Sequence, residues 1–181
     1  LSYRDGGLAI YGAVISSVIV LLIFSRVKKI SFLSFADLGV HGLFIGQLIG
    51  RWGNFINKEA HGAMTTLEYL EKLPLPSFVI EGMKINGVYY IPTFFFESIL
   101  CLIGFVILLI IRKKDGFKHK GLLMFVYFIW YGIVRFFIEG MRTDSLYLGS
   151  FRVSQIVSLV LVFLGMGGLL YLLRRRKSEK V

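Results

Sequence analysis

The sequence predicts an all-α polytopic integral membrane protein, and three observations lead to this fold class. The 181 residues are 56% hydrophobic and include 17 Phe. Long apolar segments recur along the chain and are separated by short polar stretches. The formal net charge is nevertheless +10, with basic residues concentrated between the apolar segments. Strong apolarity with clustered basic charge is typical of a membrane protein and argues against a nucleic-acid-binding protein.

We predict about five transmembrane helices from these apolar segments. The first, residues 8–24, is apolar for about 17 residues, near the lower limit for crossing a bilayer. The second, residues 30–56, is interrupted by Asp37 and His41. We therefore expect its first half to lie at the surface or to re-enter the membrane, and its second half to cross. The remaining three segments are residues 92–111, 121–140 and 153–173.

Residues 63–91 differ from the rest of the chain and are predicted to form an extracytoplasmic excursion. This stretch contains Pro74, Pro76 and several acidic residues. The dipeptide Asn86-Gly87 lies between two short β-prone runs and is typical of a tight hairpin turn. We expect a small β-hairpin here, within a single membrane domain that covers residues 1–181.

The distribution of basic residues predicts the orientation of the chain. Residues 26–29, 112–120 and 174–180 contain three, five and five Lys or Arg. With five crossings, all three clusters lie on the same side, which the positive-inside rule assigns to the cytoplasm. The C-terminus is then cytoplasmic. We interpret the clusters as topology determinants and predict no nucleic-acid partner.

The polar stretch at residues 50–62, GRWGNFINKEAHG, is the main candidate for a functional site. Charged and amide side chains at a membrane boundary are costly unless they pair or bind a ligand. One interpretation is a helix end with a snorkelling arginine and a polar turn. The density of donors and acceptors favours a binding site instead. The polar side chains of this stretch are Arg51, Asn54, Asn57, Lys58, Glu59 and His61.

A second candidate group lies on the fourth predicted span. Arg135, Glu139 and Arg142 are spaced to share one helical face. One interpretation is a buried Arg–Glu pair whose sole role is to fix helix packing. A second arginine on the face favours an anionic ligand, because one Glu neutralises only one of them. Guanidinium groups match phosphate oxygens with paired hydrogen bonds.

Several other chemistries are not indicated by the sequence. The single cysteine, Cys101, allows no internal disulfide. The three histidines, His41, His61 and His119, do not form a metal-ligand pattern. No glycine-rich nucleotide motif is present. We therefore predict no metal and no cofactor, and a chemistry that depends on carboxylates, arginines and a Tyr or His.

Residues 50–62 closely resemble the signature of the bacterial prolipoprotein diacylglyceryl transferases, G-R-x-G-N-F-x-N-x-E-x-x-G. All eight specified positions are met. The resemblance recurs at residues 6–12, 92–98 and 131–144, so it covers nearly the whole chain. It also implies that roughly two N-terminal spans of the family precede the region present here.

The resemblance implies a transferase. Members of this family transfer the diacylglyceryl group of phosphatidylglycerol to the thiol of a lipobox cysteine in a prolipoprotein signal peptide. A thioether forms and glycerol phosphate is released. The expected setting is the bilayer of the bacterial cytoplasmic membrane, with the active site toward its outer face. The alternative is a membrane carrier of an anionic lipid or small anion, a class that usually shows internal repeats, of which the sequence has none.

The family's functional residues carry over to matching positions of this chain. Tyr11 stands where many members have His, and Phe96 stands where Tyr is usual, so an obligatory histidine base at position 11 is not implied. The resemblance implies catalytic roles for Arg135, Glu139, Glu59, Asn54 and Tyr11, and substrate-binding roles for Arg51, Asn57, Gly62, Arg142 and Glu97.

Cysteine labelling tests the predicted topology. On a Cys101→Ala background, an impermeant maleimide should label Glu81→Cys in intact cells. Lys118→Cys and Arg175→Cys should react only after the cells are permeabilised, because the positive-inside rule places both in the cytoplasm. Labelling of position 118 from outside intact cells would contradict the assignment.

Overall fold

The computed structural model describes residues 7–115 and 118–178, with side chains described for residues 12–115 and 118–175. Over these ranges the chain forms long helices, two short helices and small strand pairs. The helices are α1 Gly7–Val27, α2 Phe32–Asn57, α3 Leu67–Glu71, α4 Ser77–Gly82, α5 Thr93–Asp115, α6 Leu122–Met141 and α7 Val153–Ser178. The strands are β1 Met64–Thr65, β2 Lys84–Ile85, β3 Val88–Tyr90, β4 Tyr147–Leu148 and β5 Phe151–Arg152.

Within the described residues, the four helices α2, α5, α6 and α7 are long and apolar enough to cross a membrane. α1 adds a shorter apolar helical stretch, Gly12–Val27. The prediction of a polytopic helical membrane protein is therefore confirmed. The predicted segments agree with the observed helices to within a few residues at most ends.

The prediction that the second apolar segment is broken is wrong. α2 is one continuous helix of 26 residues, and Asp37 and His41 are both buried on it rather than exposed at a surface. The sequence suggested an interruption because a charged side chain inside a membrane helix is costly. Tertiary hydrogen bonds offset this cost, because the carboxylate of Asp37 accepts hydrogen bonds from two backbone amides at the start of α6.

Asp37 caps the N-terminus of α6. Its Oδ2 accepts a hydrogen bond from the backbone amide of Gly121 at 2.6 Å, and its Oδ1 accepts one from Met124 at 2.8 Å. The first amides of a helix have no partner within the helix, and the positive end of the helix dipole favours a carboxylate. The residue before a helix often caps it with its own side chain, but the residue before α6 is Gly121, which has no side chain.

The core lies where α2, α5 and α6 meet, around the fully buried side chains of Phe44 and Leu108. α7 packs on the opposite side of α6 through glycines that permit close backbone approach. A Cβ at Gly132 would lie 2.7 Å from the carbonyl oxygen of Ser158, and one at Gly165 would lie 2.7 Å from that of Phe125. Neither position therefore has room for a side chain.

The segment between α2 and α5 contains the predicted hairpin. β2 and β3 pair antiparallel, and the two turn residues Asn86 and Gly87 have φ of 51° and 84°. Positive φ at both central residues is the requirement of a type I′ turn, so the hairpin prediction is confirmed. β1 joins the other edge of β3 to complete a three-stranded sheet. Aromatic packing between Phe55 of α2 and Phe94 of α5 anchors this segment at the ends of the long helices.

Replacing Asp37 should destabilise the bundle. In Asp37→Ala the amides of Gly121 and Met124 lose their acceptors while still buried, which should cost about 2 kcal/mol of unfolding free energy. Asp37→Asn keeps one acceptor oxygen, so its unfolding free energy should lie between those of the wild type and Asp37→Ala. Thermal unfolding in detergent measures the effect. The control is Glu68→Ala, since the one ion pair that Glu68 makes with the described residues is an exposed contact with Lys72. Equal melting temperatures for the Asp37→Ala and Glu68→Ala variants would contradict the capping role.

Candidate active site

Glu97, in the first turns of α5, lies between two arginines from different helices. Its side chain is 2% exposed. Oε1 lies 2.9 Å from Nη2 of Arg51 on α2, and Oε2 accepts a hydrogen bond from Nη1 of Arg135 on α6 at 3.2 Å. The contact with Arg51 is close enough for an ion pair but lacks hydrogen-bond geometry, since Oε1 has no hydrogen-bond partner among the described residues.

Arg135 binds a second carboxylate. Its Nη2 donates to Oε2 of Glu139, one turn further along α6, at 2.5 Å. Glu139 is as deeply buried as Glu97. Two arginines therefore face two carboxylates, and the formal charge of the group is zero. The expectation from the sequence that the second arginine, Arg142, lacks a counter-charge is also wrong, because Arg142 pairs with Asp144.

The signature residues extend this group along the end of α2. Nη1 of Arg51 donates to Oδ1 of Asn54 at 3.3 Å, and Nδ2 of Asn54 donates to Oε1 of Glu59 at 3.2 Å. Nδ2 of Asn57 reaches the same carboxylate oxygen at 3.2 Å. A continuous chain of polar contacts thus runs from Asn57 to Glu139. We refer to its members as the Arg–Glu chain: Arg51, Asn54, Asn57, Glu59, Glu97, Arg135 and Glu139.

The backbone turns sharply after α2 to bring Glu59 back toward Asn54. Lys58 and Ala60 both have positive φ, 55° and 56°, which is uncommon for residues with a Cβ. The hydroxyl of Thr93 donates to the carbonyl of Ala60 at 2.7 Å and holds this turn against the start of α5. A strained backbone that neighbouring contacts maintain is often found at functional sites.

Gly62 supplies a backbone contact that no side chain could accompany. Its amide donates to the carbonyl of Ile91 at 2.9 Å, and it forms an isolated β-bridge with Arg142. A Cβ at this position would lie 2.8 Å from the Cβ of Ile91 and 3.2 Å from the carbonyl oxygen of Met141. The glycine therefore allows the signature loop to pack between α5 and the end of α6.

The prediction that Arg142 shares a helical face with Arg135 and Glu139 is wrong. α6 ends at Met141, and Arg142 has extended backbone. Its Nε and Nη2 donate to the two carboxylate oxygens of Asp144 at 3.0 and 2.9 Å. Burial opposes ionisation of Asp144, but the hydrogen bonds from Arg142 outweigh it and hold the pKa of Asp144 below its ordinary value.

Two polar contacts near the Arg–Glu chain were not predicted from the sequence. Nη1 of Arg152 donates to the carbonyl of Glu139 at 2.6 Å and so satisfies the last turn of α6. One turn before Arg51, Nε2 of Gln47 donates to the hydroxyl of Tyr127 at 2.7 Å. A lone amide in an apolar segment was the available signal for Gln47, but its partner lies 80 residues away in the sequence.

The two guanidinium groups are the part of this arrangement that can bind an anion, although the three glutamates of the Arg–Glu chain outnumber them. Nε of Arg51 is buried and makes no hydrogen bond to any residue that the structure describes. A guanidinium held in place through its other nitrogens can donate to a phosphate oxygen, but a ligand reaches this enclosed Nε only when the side chains around it move. Tyr11 lies in α1, and its side chain lies outside the described residues.

Comparison with known proteins identifies the family. The model of the prolipoprotein diacylglyceryl transferase family matches residues 1–171. The chain belongs to this family. As a prolipoprotein diacylglyceryl transferase family member with four helices that can span a bilayer, it is a multi-pass bacterial membrane protein.

Relatives at high identity carry a common name, phosphatidylglycerol–prolipoprotein diacylglyceryl transferase. The protein from Listeria monocytogenes serotype 4b is 55% identical over 174 residues, which are 96% of this chain and 61% of the relative. Those from Ligilactobacillus salivarius and Bacillus cytotoxicus are 50% and 45% identical over 94% and 98% of the chain, and 64% of each relative. The chain therefore spans about three fifths of the length of these relatives. Their names agree with the transferase prediction and do not support the carrier alternative.

Two of the three signature glycines, Gly53 and Gly62, should respond differently to a methyl group. Gly62→Ala forces a Cβ against Ile91 and should lower the unfolding free energy by roughly 1–3 kcal/mol. Gly53→Ala is the matched control, because a Cβ added there meets no described atom within 4 Å apart from its chain neighbours and the backbone of its own helix, and Ala favours the helix. Thermal unfolding in detergent checks both. A Gly62→Ala melting temperature at or above that of Gly53→Ala would show that the loop has room for a side chain.

Proposed function

We propose that this chain carries the site at which the diacylglyceryl group of phosphatidylglycerol is transferred to the thiol of a lipobox cysteine in a prolipoprotein. Membership of the family and the names of the relatives support the reaction class. The observation that carries the proposal is the Arg–Glu chain, in which two arginines converge on the buried carboxylate of Glu97. Such a site suits a reaction whose leaving group is a phosphate.

The proposed donor-binding residue is Arg51. Arg51 and Arg135 both contact Glu97, so the donor's phosphate can bridge the two guanidinium groups while Glu97 keeps their separation fixed. Asn54 and Asn57 supply amide groups for orienting the glycerol headgroup. We assign Gly62 and Arg142 to the edge of this site, because the two residues form a backbone β-bridge next to the signature loop.

The chemistry needs no nucleophile from the enzyme. The sulfur of the acceptor cysteine attacks the terminal glycerol carbon of the diacylglyceryl group, and a C–S bond forms. The C–O bond to the phosphate breaks, and its electron pair stays on the phosphate oxygen, where Arg135 and Arg51 stabilise the charge. The thiol proton leaves toward Glu59, whose carboxylate lies at the exposed end of the Arg–Glu chain.

The proposed orientation places the site toward the outer face of the cytoplasmic membrane. Glu97 lies near the start of α5, whereas Arg112, Lys113 and Lys114 lie in its last turn. Fifteen residues of helix separate Glu97 from Arg112, or about 22 Å at 1.5 Å per residue. If the basic end is cytoplasmic, as the positive-inside rule predicts, the Arg–Glu chain opens toward the other side.

Arg51→Lys tests the proposal. An ammonium group is a point charge and cannot present two donors in a fork to a phosphate, so transfer should fall by one to several orders of magnitude. Arg26→Lys is the matched control, since Arg26 is exposed in the last turn of α1. The measurement is thioether formation on a lipobox peptide with phosphatidylglycerol as donor, normalised to folded protein.

Two outcomes of this experiment would count against the proposal in different ways. Wild-type turnover in Arg51→Lys would remove Arg51 from the donor site while leaving the reaction class intact. Absence of transfer by the wild-type chain, when it is folded and supplied with both substrates, would contradict the proposed function itself.

A further inference from the structure

Two cavities adjoin each other at the end of the bundle opposite the Arg–Glu chain. The first, of about 340 Å³, is lined by Ile111, Lys114, Asp115, Lys118, His119 and Leu122. The second, of about 240 Å³, shares three of these residues and continues along Val126 of α6 and Leu169, Leu172 and Leu173 of α7. The shared residues make the two cavities one groove, with a charged end and an aliphatic end.

The charged end is basic. Lys114 and Lys118 are exposed on its rim. The carboxylate of Asp115 also faces the groove, but it is occupied by His119, whose backbone amide donates to Oδ2 at 3.1 Å and whose ring Nδ1 contacts Oδ1. Lys114, Lys118, Asp115 and a neutral His119 give this end of the groove a formal charge of +1, and protonation of His119 raises that charge to +2.

The aliphatic end has the chemistry of the membrane interior. Its walls are the valine and leucine side chains of α6 and α7, both of which are long and apolar enough to span a bilayer. Leu173 is 60% exposed, so the groove opens sideways onto the surface that lipid covers. A groove of this kind accepts an acyl chain, and basic pockets between transmembrane helices bind anionic lipid headgroups.

We propose that this groove is a binding site for an anionic phospholipid of the leaflet next to the basic end. The lipid phosphate lies between Lys114 and Lys118, and one acyl chain follows the leucines of α7. The site is separate from the proposed donor site, because it lies at the far end of α5 from Glu97. Free phosphate has no group for the aliphatic wall, and a zwitterionic lipid gains less from the two lysines.

Lipid binding to the purified chain in detergent tests this proposal without reference to transferase activity. The probe is dioleoyl phosphatidic acid, measured by native mass spectrometry and by the lipid-dependent rise in melting temperature. Dioleoyl phosphatidylcholine and inorganic phosphate are the comparison ligands. We expect phosphatidic acid to bind and stabilise the wild-type chain more than either comparison ligand does.

Two variants with the same loss of charge locate the site. Lys114→Ser with Lys118→Ser should weaken phosphatidic acid binding by about tenfold to thirtyfold, from the loss of two lysines near the headgroup. Lys28→Ser with Lys29→Ser, in the basic loop after α1, should leave it unchanged within about twofold.

A third variant tests the aliphatic end. Leu172→Trp places a larger ring against the groove and should reduce the lipid-dependent stabilisation while leaving both lysines in place. The proposal is overturned if the two lysine pairs weaken binding equally, if phosphatidylcholine or inorganic phosphate stabilises the chain as much as phosphatidic acid, or if Leu172→Trp binds phosphatidic acid like the wild type.

Discussion

The burial of Glu97 between Arg51 and Arg135 is the constraint on which the site depends. A charge removed from water is tolerated only when it is paired, and removing one partner leaves the other uncompensated. Because α2, α5 and α6 each contribute one of these three charges, the three helices must hold a fixed relation for any of them to be buried. The same arrangement fixes the separation of two guanidinium groups before a ligand arrives. Preorganised donors of this kind stabilise developing negative charge without a cost of rearrangement during the reaction.

Much of the fold could be predicted from the sequence because local signals determine it. Apolar length predicts α5, α6 and α7 to within a few residues, and Asn86-Gly87 predicts the I′ hairpin because both residues tolerate positive φ. The continuity of α2 could not be predicted in this way. Asp37 predicts an interruption of the helix when only its sequence neighbours are considered. The backbone amides that bind its carboxylate lie 84 and 87 residues further along the chain.

The site shows the same division between local and tertiary information. Spacing along the sequence was enough to place Arg135 and Glu139 on one face, and the signature grouped Arg51, Asn54, Asn57 and Glu59. Spacing also extended that face to Arg142, which was wrong because α6 ends one residue earlier and Arg142 pairs with Asp144. That Glu97 is the residue shared by the arginines of two other helices depends on how the helices pack. No pattern within one segment carries that information.

The cap that Asp37 provides for α6 has a consequence for biosynthesis. α2 emerges from the ribosome before α6. During synthesis the side chain of Asp37 therefore lies in an apolar helix before the amides that bind it have been made. α6 in turn enters the bundle with open amides at its first turn. Both deficits disappear together when the helices dock in the native register. A slip by one helical turn, about 5.4 Å, would leave both in place. Correct assembly is therefore selected at a point that is remote from the Arg–Glu chain, and a bundle whose helices dock in the wrong register keeps unsatisfied polar groups at the start of α6.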